Sequence, residues 1–292
     1  GTGVYKLLRK RADIMEKTIG AELEIKKILV HNMNKKREGI DPALLTDDWH
    51  EIIGDDEIQI VVEVMGGMEP AKTIILEALK AGKNVVSANK DLIAEEGRIL
   101  LDTAQEYGKD FLFEAAVAGG IPIIRPLKQC LAANEISDVL GIVNGTTNYI
   151  LTKMFEEGME FADALKQAQE LGYAEADPTA DVEGYDACRK IAILSSLISG
   201  QQVDFEDIYT EGITKVSRKD MMYAKKMGMT IKLLASSKRH GNHLHAIVSP
   251  ALLGKEHPLY NVDDVFNAVF VRGNVLGDAM FYGSGAGKLP TA

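Results

Sequence analysis

The chain has 292 residues, 46% of them hydrophobic and 26% charged, which are globular proportions. Lys and Arg number 33 against 43 Asp and Glu, a formal net charge of -10, and diffuse acidity of this kind argues against nucleic acid, whose phosphates need clustered cations. No apolar run reaches the roughly 18 residues of a membrane-spanning helix, no signal peptide is expected, and two cysteines, Cys130 and Cys188, cannot form a disulfide framework, so a cytoplasmic protein is expected. The first elements alternate. Val4, Leu7, Leu8 and Met15 form one helical stripe; Ile25 to Val30 predicts a short strand; Ile58 to Val64 is a nearly continuous β-branched run, as in a strand buried on both faces. Glu69 to Ala81 follows as a helix, Asn84 to Ala88 as a strand, Leu92 to Tyr107 as a helix and Phe111 to Val117 as a strand. This alternation predicts a parallel, doubly wound sheet.

Ligands in such sheets sit beyond the carboxyl ends of the strands. Here those ends read Met65-Gly66-Gly67, Ala88-Asn89-Lys90 and Ala118-Gly119-Gly120, and Gly1 and Gly3 at a helix start fit a phosphate-facing turn. The second half changes character. Ile136 to Val143 is a strand ending in Asn144-Gly145-Thr146-Thr147-Asn148; Tyr149 to Glu157, Phe161 to Leu171, Asp181 to Leu197 and Ser217 to Lys226 are helical. Thr230 to Ser236, Leu244 to Val248, Asp264 to Val271 and Leu276 to Tyr282 are strands, so an α+β layer with a mostly antiparallel sheet is expected. The fold class is therefore α/β plus α+β, a Rossmann-type domain over 1–122 followed by a mixed-sheet catalytic and dimerisation domain over 123–288.

Chemistry concentrates between Tyr173 and Lys190, where Glu175, Asp177, Asp181, Glu183 and Asp186 precede an apolar helix. A solvated acidic helix start accounts for Asp181 and Glu183. Asp186 and Lys190 lie four apart on one face of a helix suited to burial, and a buried lysine needs a partner or a purpose; both a structural and a functional pair remain open. Lys90 follows an apolar strand at the expected cleft edge, where the helix dipole disfavours a cation. The six histidines have no metal-ligand spacing, and both cysteines read as packing residues, with Cys130 in a helix over Pro126 to Ala133.

Together these strings resemble the homoserine dehydrogenase family over nearly the whole chain. The similarity is carried by Val61-Val-Glu-Val-Met-Gly66-Gly67, Ser87-Ala-Asn-Lys90, Glu114-Ala-Ala-Val-Ala-Gly-Gly-Ile121-Pro122 and Gly141-Ile-Val-Asn-Gly-Thr-Thr-Asn-Tyr149. It continues through Glu175-Ala-Asp-Pro178, Asp181, Gly184, Asp186, Arg189-Lys190 and Tyr282-Gly-Ser-Gly-Ala-Gly287-Lys-Leu-Pro290. The resemblance implies NAD(P)H-dependent reduction of L-aspartate 4-semialdehyde to L-homoserine, a small-molecule substrate, and a homodimer or dimer of dimers built through the second domain's sheet. It implies Lys190 and Lys90 as catalytic lysines, a lysine of lowered pKa supplying the proton, with Asp186 orienting Lys190. Glu175 and Asp181 would hold the substrate amino group, and Tyr173, Gly145 and Thr146 would line its pocket. Cofactor contacts are expected from Gly1, Thr2, Asn32, Lys35, Arg37, Gly66, Gly67, Ser87, Asn89, Lys90 and Gly287. A monovalent cation, Na+ or K+, is implied on the loop of Glu114, Val117, Gly119 and Ile121.

The family's first strand and the earlier glycines of its Gly-x-Gly-x-x-Gly turn have no match, and Pro290-Thr-Ala starts a return to the nucleotide domain over 289–292. The chain therefore reads as part of a longer protein, of low activity by itself, whose relatives often carry a regulatory ACT domain. Another two-domain NAD(P)-dependent oxidoreductase, such as an acylating semialdehyde dehydrogenase, needs an activated thiolate that neither cysteine offers. A non-catalytic nucleotide sensor or dimerisation protein is the other alternative. The second strand ends His31-Asn32-Met33-Asn34-Lys35-Lys36-Arg37, with three cations before the first carboxylate, Glu38. Without an acid to take the ribose 2′-hydroxyl, NADP(H) is expected over NAD(H), with dual use as the fallback.

Overall fold

The computed structural model describes residues 1–241 and 243–285. They divide into two compact units, residues 1–92 with 96–113, and residues 93–95 with the described residues from 114 onward. Gly287 and the segment 289–292 lie outside the described residues.

The first unit runs α1 (Thr2–Lys10), α2 (Ala12–Ile19), β1 (Ile28–Leu29), β2 (Leu45–Thr46), α3 (His50–Ile53), β3 (Ile60–Glu63), α4 (Ala71–Lys80), β4 (Asn84–Ser87), α5 (Lys90–Glu106) and β5 (Phe111–Leu112). β1 and β2 pair in parallel, and β3, β4 and β5 form a second parallel sheet in that order. The expected first helix is two, because Arg9-Lys10-Arg11 carries no apolar residue across the gap and Arg11 leaves helical geometry at φ -117°. The strand expected over 25–30 shrinks to β1. β3 is not buried on both faces: Val61 and Glu63 are buried, whereas Ile60 and Val62 are 48% and 41% exposed. α4 packs on this sheet through Ile74, Ile75, Ala78 and Leu79; β-branched composition reveals strand propensity but not how many faces are covered.

The second unit contains β6 (Ile136–Ile142), α6 (Gly145–Glu156), α7 (Phe161–Glu170), α8 (Thr179–Val182), α9 (Tyr185–Ser199), β7 (Tyr209–Thr210), α10 (Arg218–Lys226), β8 (Met229–His240), β9 (His243–Gly254), β10 (Phe266–Gly273) and β11 (Gly277–Ser284). Its sheet has the order β11-β10-β6-β8-β9-β7, antiparallel except for the β7–β9 edge. α6, α9 and α10 pack against it. The strand expected over 111–117 stops at Leu112, since Glu114–Ala116 turns into a short 3-10 helix and the Glu114 carboxylate accepts the N–H groups of Ile123, Ile124 and Arg125 at 2.6, 2.8 and 2.7 Å. The helix expected over 181–197 is split at Gly184, whose φ is +83° and where a Cβ would meet Thr210 at 3.2 Å and Val248 at 3.3 Å. Among the described residues no helix is long and apolar enough to cross a membrane.

Lys232 on β8 is 1% exposed; its ammonium donates to the Val262 carbonyl at 2.6 Å and to Asp263 Oδ1 at 2.7 Å. Burial pushes its pKa below the ordinary lysine value, although Asp263 opposes the shift. The unfolded chain therefore binds this proton more tightly, and stability gained at this site rises with pH up to the ordinary lysine range. Asp263 is itself 43% exposed by side chain and stays hydrated without its partner. Lys232→Met is expected to leave the Tm at pH 7 unchanged or higher, by up to about 2 kcal/mol of stability, and the gap should narrow as pH rises toward 10. Calorimetric Tm across that range checks it; a large loss of Tm at pH 7 would show the pair to be net stabilising.

Candidate active site

In the first unit, the expected cofactor residues gather at strand ends. Gly1 caps α1 without a side-chain cap, and the first intrahelical bond is Tyr5 N–H to Gly1 C=O at 3.0 Å, so the N–H groups of Thr2, Gly3 and Val4 have no acceptor within the helix. Gly66 and Gly67 follow β3 with φ of +74° and +76°. Ser87 ends β4, and its hydroxyl donates to Glu63 Oε2 at 2.6 Å, while Glu63 Oε1 accepts the N–H groups of Met65 and Gly66 at 2.8 and 3.1 Å. Asn89 ties the turn to the next helix: its amide nitrogen donates to the Gly67 carbonyl at 2.7 Å and its Oδ1 caps α5 at Leu92 N–H. Lys90 is the first residue of α5. Beyond β1, the Arg37 guanidinium donates to the carbonyls of Asn32 and Lys35 at 3.0 and 2.9 Å, so Arg37 braces the exposed loop that carries it. Backbone N–H groups at a helix start, paired glycines at a strand end and a cationic loop without an acid fit a dinucleotide phosphate and ribose. Glu63 was not among the expected residues. Its signal was a charge inside an otherwise apolar strand.

In the second unit, Asp186 and Lys190 meet as their spacing requires. Lys190 Nζ donates to Asp186 Oδ2 at 2.6 Å and to the Val143 carbonyl at 2.7 Å, with side chains 13% and 5% exposed for Lys190 and Asp186. Asp181 joins this pair through Asn144, whose amide nitrogen donates to Asp181 Oδ1 at 2.7 Å and Asp186 Oδ2 at 2.9 Å. Asn144 Oδ1 accepts from the backbone N–H of Thr147 at 2.9 Å and from its hydroxyl at 3.0 Å, capping α6. The next residues, Gly145 and Thr146, open that helix, and the Thr146 hydroxyl donates to the Tyr173 carbonyl at 2.7 Å. Tyr173 packs its ring 5.1 Å from that of Tyr149. Glu175 lies two residues further along, exposed, with its own carbonyl accepting from Gln169. Asn144 was absent from the expected site; its only local signal was the cap spacing to Thr147.

The Glu114 carboxylate is spent on backbone N–H groups, so this residue offers a cation only its carbonyl, as do Val117, Gly119 and Ile121. Among the described residues no three or more His, Cys, Asp or Glu are placed to hold a metal ion. Cys188 is buried and burial pushes its thiol pKa up. Cys130 is exposed, not packed: the helix expected over 126–133 is a single wide turn, Pro126–Cys130, too short to bury it.

A parallel nucleotide-type unit joined in sequence to a mixed-sheet unit with a buried Lys–Asp pair suits a nicotinamide-dependent oxidoreductase. A sequence-family model for "Homoserine dehydrogenase, NAD binding domain" matches residues 1–114, and one for "Homoserine dehydrogenase" matches residues 122–292. The homoserine dehydrogenase of Bacillus subtilis is 46% identical over 293 residues, covering 100% of this chain and 68% of that protein. A crystal structure of a homoserine dehydrogenase from Thiobacillus denitrificans is 44% identical with a TM-score of 0.93, covering 99% of this chain and 67% of that one. A hyperthermophilic archaeal homoserine dehydrogenase solved in complex with NADPH is 31% identical, TM-score 0.72, over 84% of this chain and 71% of that one. The chain belongs to the homoserine dehydrogenase family and spans about two thirds of the length of its Bacillus and Thiobacillus relatives.

Gly145 cannot be replaced without moving the site. A Cβ there would lie 2.8 Å from the Val265 carbonyl oxygen, which is backbone and cannot swing away. Gly145→Ala is expected to cost about 1–3 kcal/mol through overpacking and to displace the neighbouring Asn144. Denaturant unfolding measures the loss, and a variant as stable as the parent would mean that β10's leading loop yields freely.

Proposed function

We propose that this chain, within its whole protein, reduces L-aspartate 4-semialdehyde to L-homoserine, with Lys190 as the proton donor. The observation that carries this reading is the Lys190 ammonium held between Asp186 and the Val143 carbonyl at the carboxyl end of β6. When bound, a reduced nicotinamide dinucleotide supplies a hydride to the aldehyde carbon. The aldehyde oxygen then needs a proton; the Lys190 ammonium gives one up and becomes an amine, later re-protonated from solvent. Asp186 aims the ammonium before the transfer. Glu175 and Asp181 balance the substrate ammonium, and Thr146, Gly145 and Tyr173 shape the space around it. Lys90, at the start of α5, serves as a second catalytic lysine beside the cofactor ring.

The same reading assigns Gly1, Thr2, Gly66 and Gly67 to the dinucleotide phosphates, Ser87 and Asn89 to the nicotinamide side, and Asn32, Lys35 and Arg37 to the adenosine ribose. Gly287, outside the described residues, is carried as a further cofactor contact. Backbone carbonyls of Glu114, Val117, Gly119 and Ile121 would hold Na+ or K+. A homodimer, or a dimer of dimers, built through the second unit's sheet is part of the same reading. The cytoplasm is the proposed location.

The decisive experiment follows NADPH oxidation by the whole protein with aspartate semialdehyde. Lys190→Ala is expected to lower kcat by about 10²–10⁴-fold with the Kd for NADPH unchanged. A variant that keeps the parental kcat removes Lys190 from proton transfer and leaves Lys90 as the acid.

Cofactor choice is a second outcome. The loop after β1 presents Lys35 and Arg37 and no carboxylate before Glu38, which supports a 2′-phosphate there. NADPH should be preferred over NADH in kcat/KM, and Lys35→Glu should shift the ratio toward NADH. Arg37→Glu should shift it further, because it also removes the brace on the Asn32 and Lys35 carbonyls. An NADH preference in the parent, or a ratio unmoved by both changes, would refute this assignment.

A further inference from the structure

Asn144 occupies a position that no cap alone requires. It is buried, 6% exposed, and every polar atom of its side chain is engaged. Its orientation is dictated by its partners. The Thr147 backbone N–H can only donate, so it must face Oδ1; the ionised carboxylates of Asp181 and Asp186 can only accept, so they must face Nδ2. One amide nitrogen thus spends both its hydrogens on two carboxylates that come from α8 and α9 and would otherwise repel each other. Asp186 Oδ2 receives Asn144 from one side and Lys190 from the other, at 2.9 and 2.6 Å. The residue before Asn144, Val143, supplies the other acceptor of Lys190. A shift of Asn144 therefore moves both groups that aim the ammonium.

We propose that Asn144 is a positioning residue for the reduction, an uncharged clamp that sets Asp181 and Asp186 at a fixed separation and thereby fixes the direction of Lys190. The inference rests on the assignment of Lys190 and Asp181 made above. The support beneath the clamp is itself rigid: Gly145 abuts the Val265 carbonyl, and Asn148, one turn into α6, donates to the carbonyls of Val262 and Phe266 at 3.0 Å each.

Asn, Asp and Ser are all good helix caps, whereas Ala is not. If Asn144 only caps α6, N144D and N144S behave like the parent. If it clamps, the two fail in different ways. N144D keeps the cap and the shape but sets a third carboxylate against Asp181 and Asp186, with the Lys190 ammonium bonded to Asp186. N144S keeps the cap and drops the bridge.

The test measures kcat/KM for aspartate semialdehyde, KM for NADPH and the pH dependence of Tm in the whole protein and both variants. At pH 7.5, kcat/KM should fall about 10²-fold in N144D and at least about tenfold in N144S, the scale of a misplaced catalytic group. KM for NADPH should not move. The activity of N144D should recover partly as pH falls, because protonating one carboxylate restores a donor. In Tm, N144D should track the parent near pH 4 and fall progressively below it toward pH 7, since the folded variant holds a proton that the unfolded chain releases. N144S should show no such slope. Parental kinetics in N144D and N144S overturn the proposal, and so does a flat Tm difference for N144D. If N144D shows no cooperative unfolding transition, N144S alone decides: a tenfold loss with unchanged KM for NADPH supports the clamp, and parental kcat/KM overturns it. A parent protein that fails to reduce the semialdehyde refutes the reaction assignment instead, and the Tm slope of N144D then still decides whether the amide separates the two carboxylates.

Discussion

A lysine ammonium taken out of water is the constraint around which the second unit is organised. Desolvating such an ion costs several kcal/mol, and only well-placed acceptors offset it. Lys190 has two, the Asp186 carboxylate and the Val143 carbonyl. Satisfying both at once fixes where β6 ends, where α9 begins and how the two approach. Gly184 permits that start, because its left-handed backbone ends α8 and turns the chain into α9 where a Cβ would press on the Thr210 and Val248 side chains. Asp186, one turn before Lys190, is in turn held by Asn144, which follows Val143 at the same carboxyl end of β6. A strand end, two helix starts and a glycine thus answer one buried charge.

The segment from Val262 to the start of β10, which follows a single 3-10 turn at Pro258–Asn261, gives this arrangement its stiffness. Asn148 reaches the Val262 and Phe266 carbonyls, the Thr152 hydroxyl accepts the Asp264 N–H, and Lys232 from β8 takes the same Val262 carbonyl. Asp264 adopts a positive φ of +54° to make the turn. α6 is therefore tied to this loop in its first two turns, through Asn148 and Thr152, and the Asn144 cap cannot drift without straining both. Sites carried on rigid elements hold geometry better than sites carried on loops, and this one has a strand end and two helix termini for its frame.

The alternation of strands and helices in the first unit, the change from a parallel to an antiparallel sheet and the Asp186–Lys190 contact were legible in the sequence. Each rests on periodicity, and periodicity survives folding: i and i+4 on a helix must meet. What could not be read depends on partners remote in sequence. The run from Ile58 to Val64 marks Glu63 only as a charge among apolar residues; it does not tell that Ile60 and Val62 stay exposed while Glu63 turns inward to organise the Met65–Gly66 turn. Asn144 lies 37 residues from Asp181 and 42 from Asp186, so no local pattern joins them. Cys130 looked like packing because apolar neighbours suggested a helix, and a single wide turn left it exposed.

Burial alone does not mark a lysine as chemical. Lys83 is 2% exposed and Lys232 is 1% exposed, both more enclosed than Lys190. Lys83 donates to the Asp55 and Ile58 carbonyls, and Lys232 to the Val262 carbonyl and Asp263; each ties down the loop that surrounds it. Lys232 even has its pKa driven down by burial, the feature most often taken to indicate a reactive amine. What separates Lys190 is the company of its acceptor. Asp186 is shared between an ammonium and an amide that also binds a second carboxylate, and the cluster sits at a strand's carboxyl end beside the start of a helix opened by Gly145. The bonds of Lys83 go to backbone carbonyls alone, and those of Lys232 to a backbone carbonyl and one partly exposed acid. Lys190 instead shares Asp186 with Asn144, whose amide bridges on to Asp181, an acid partly open to solvent.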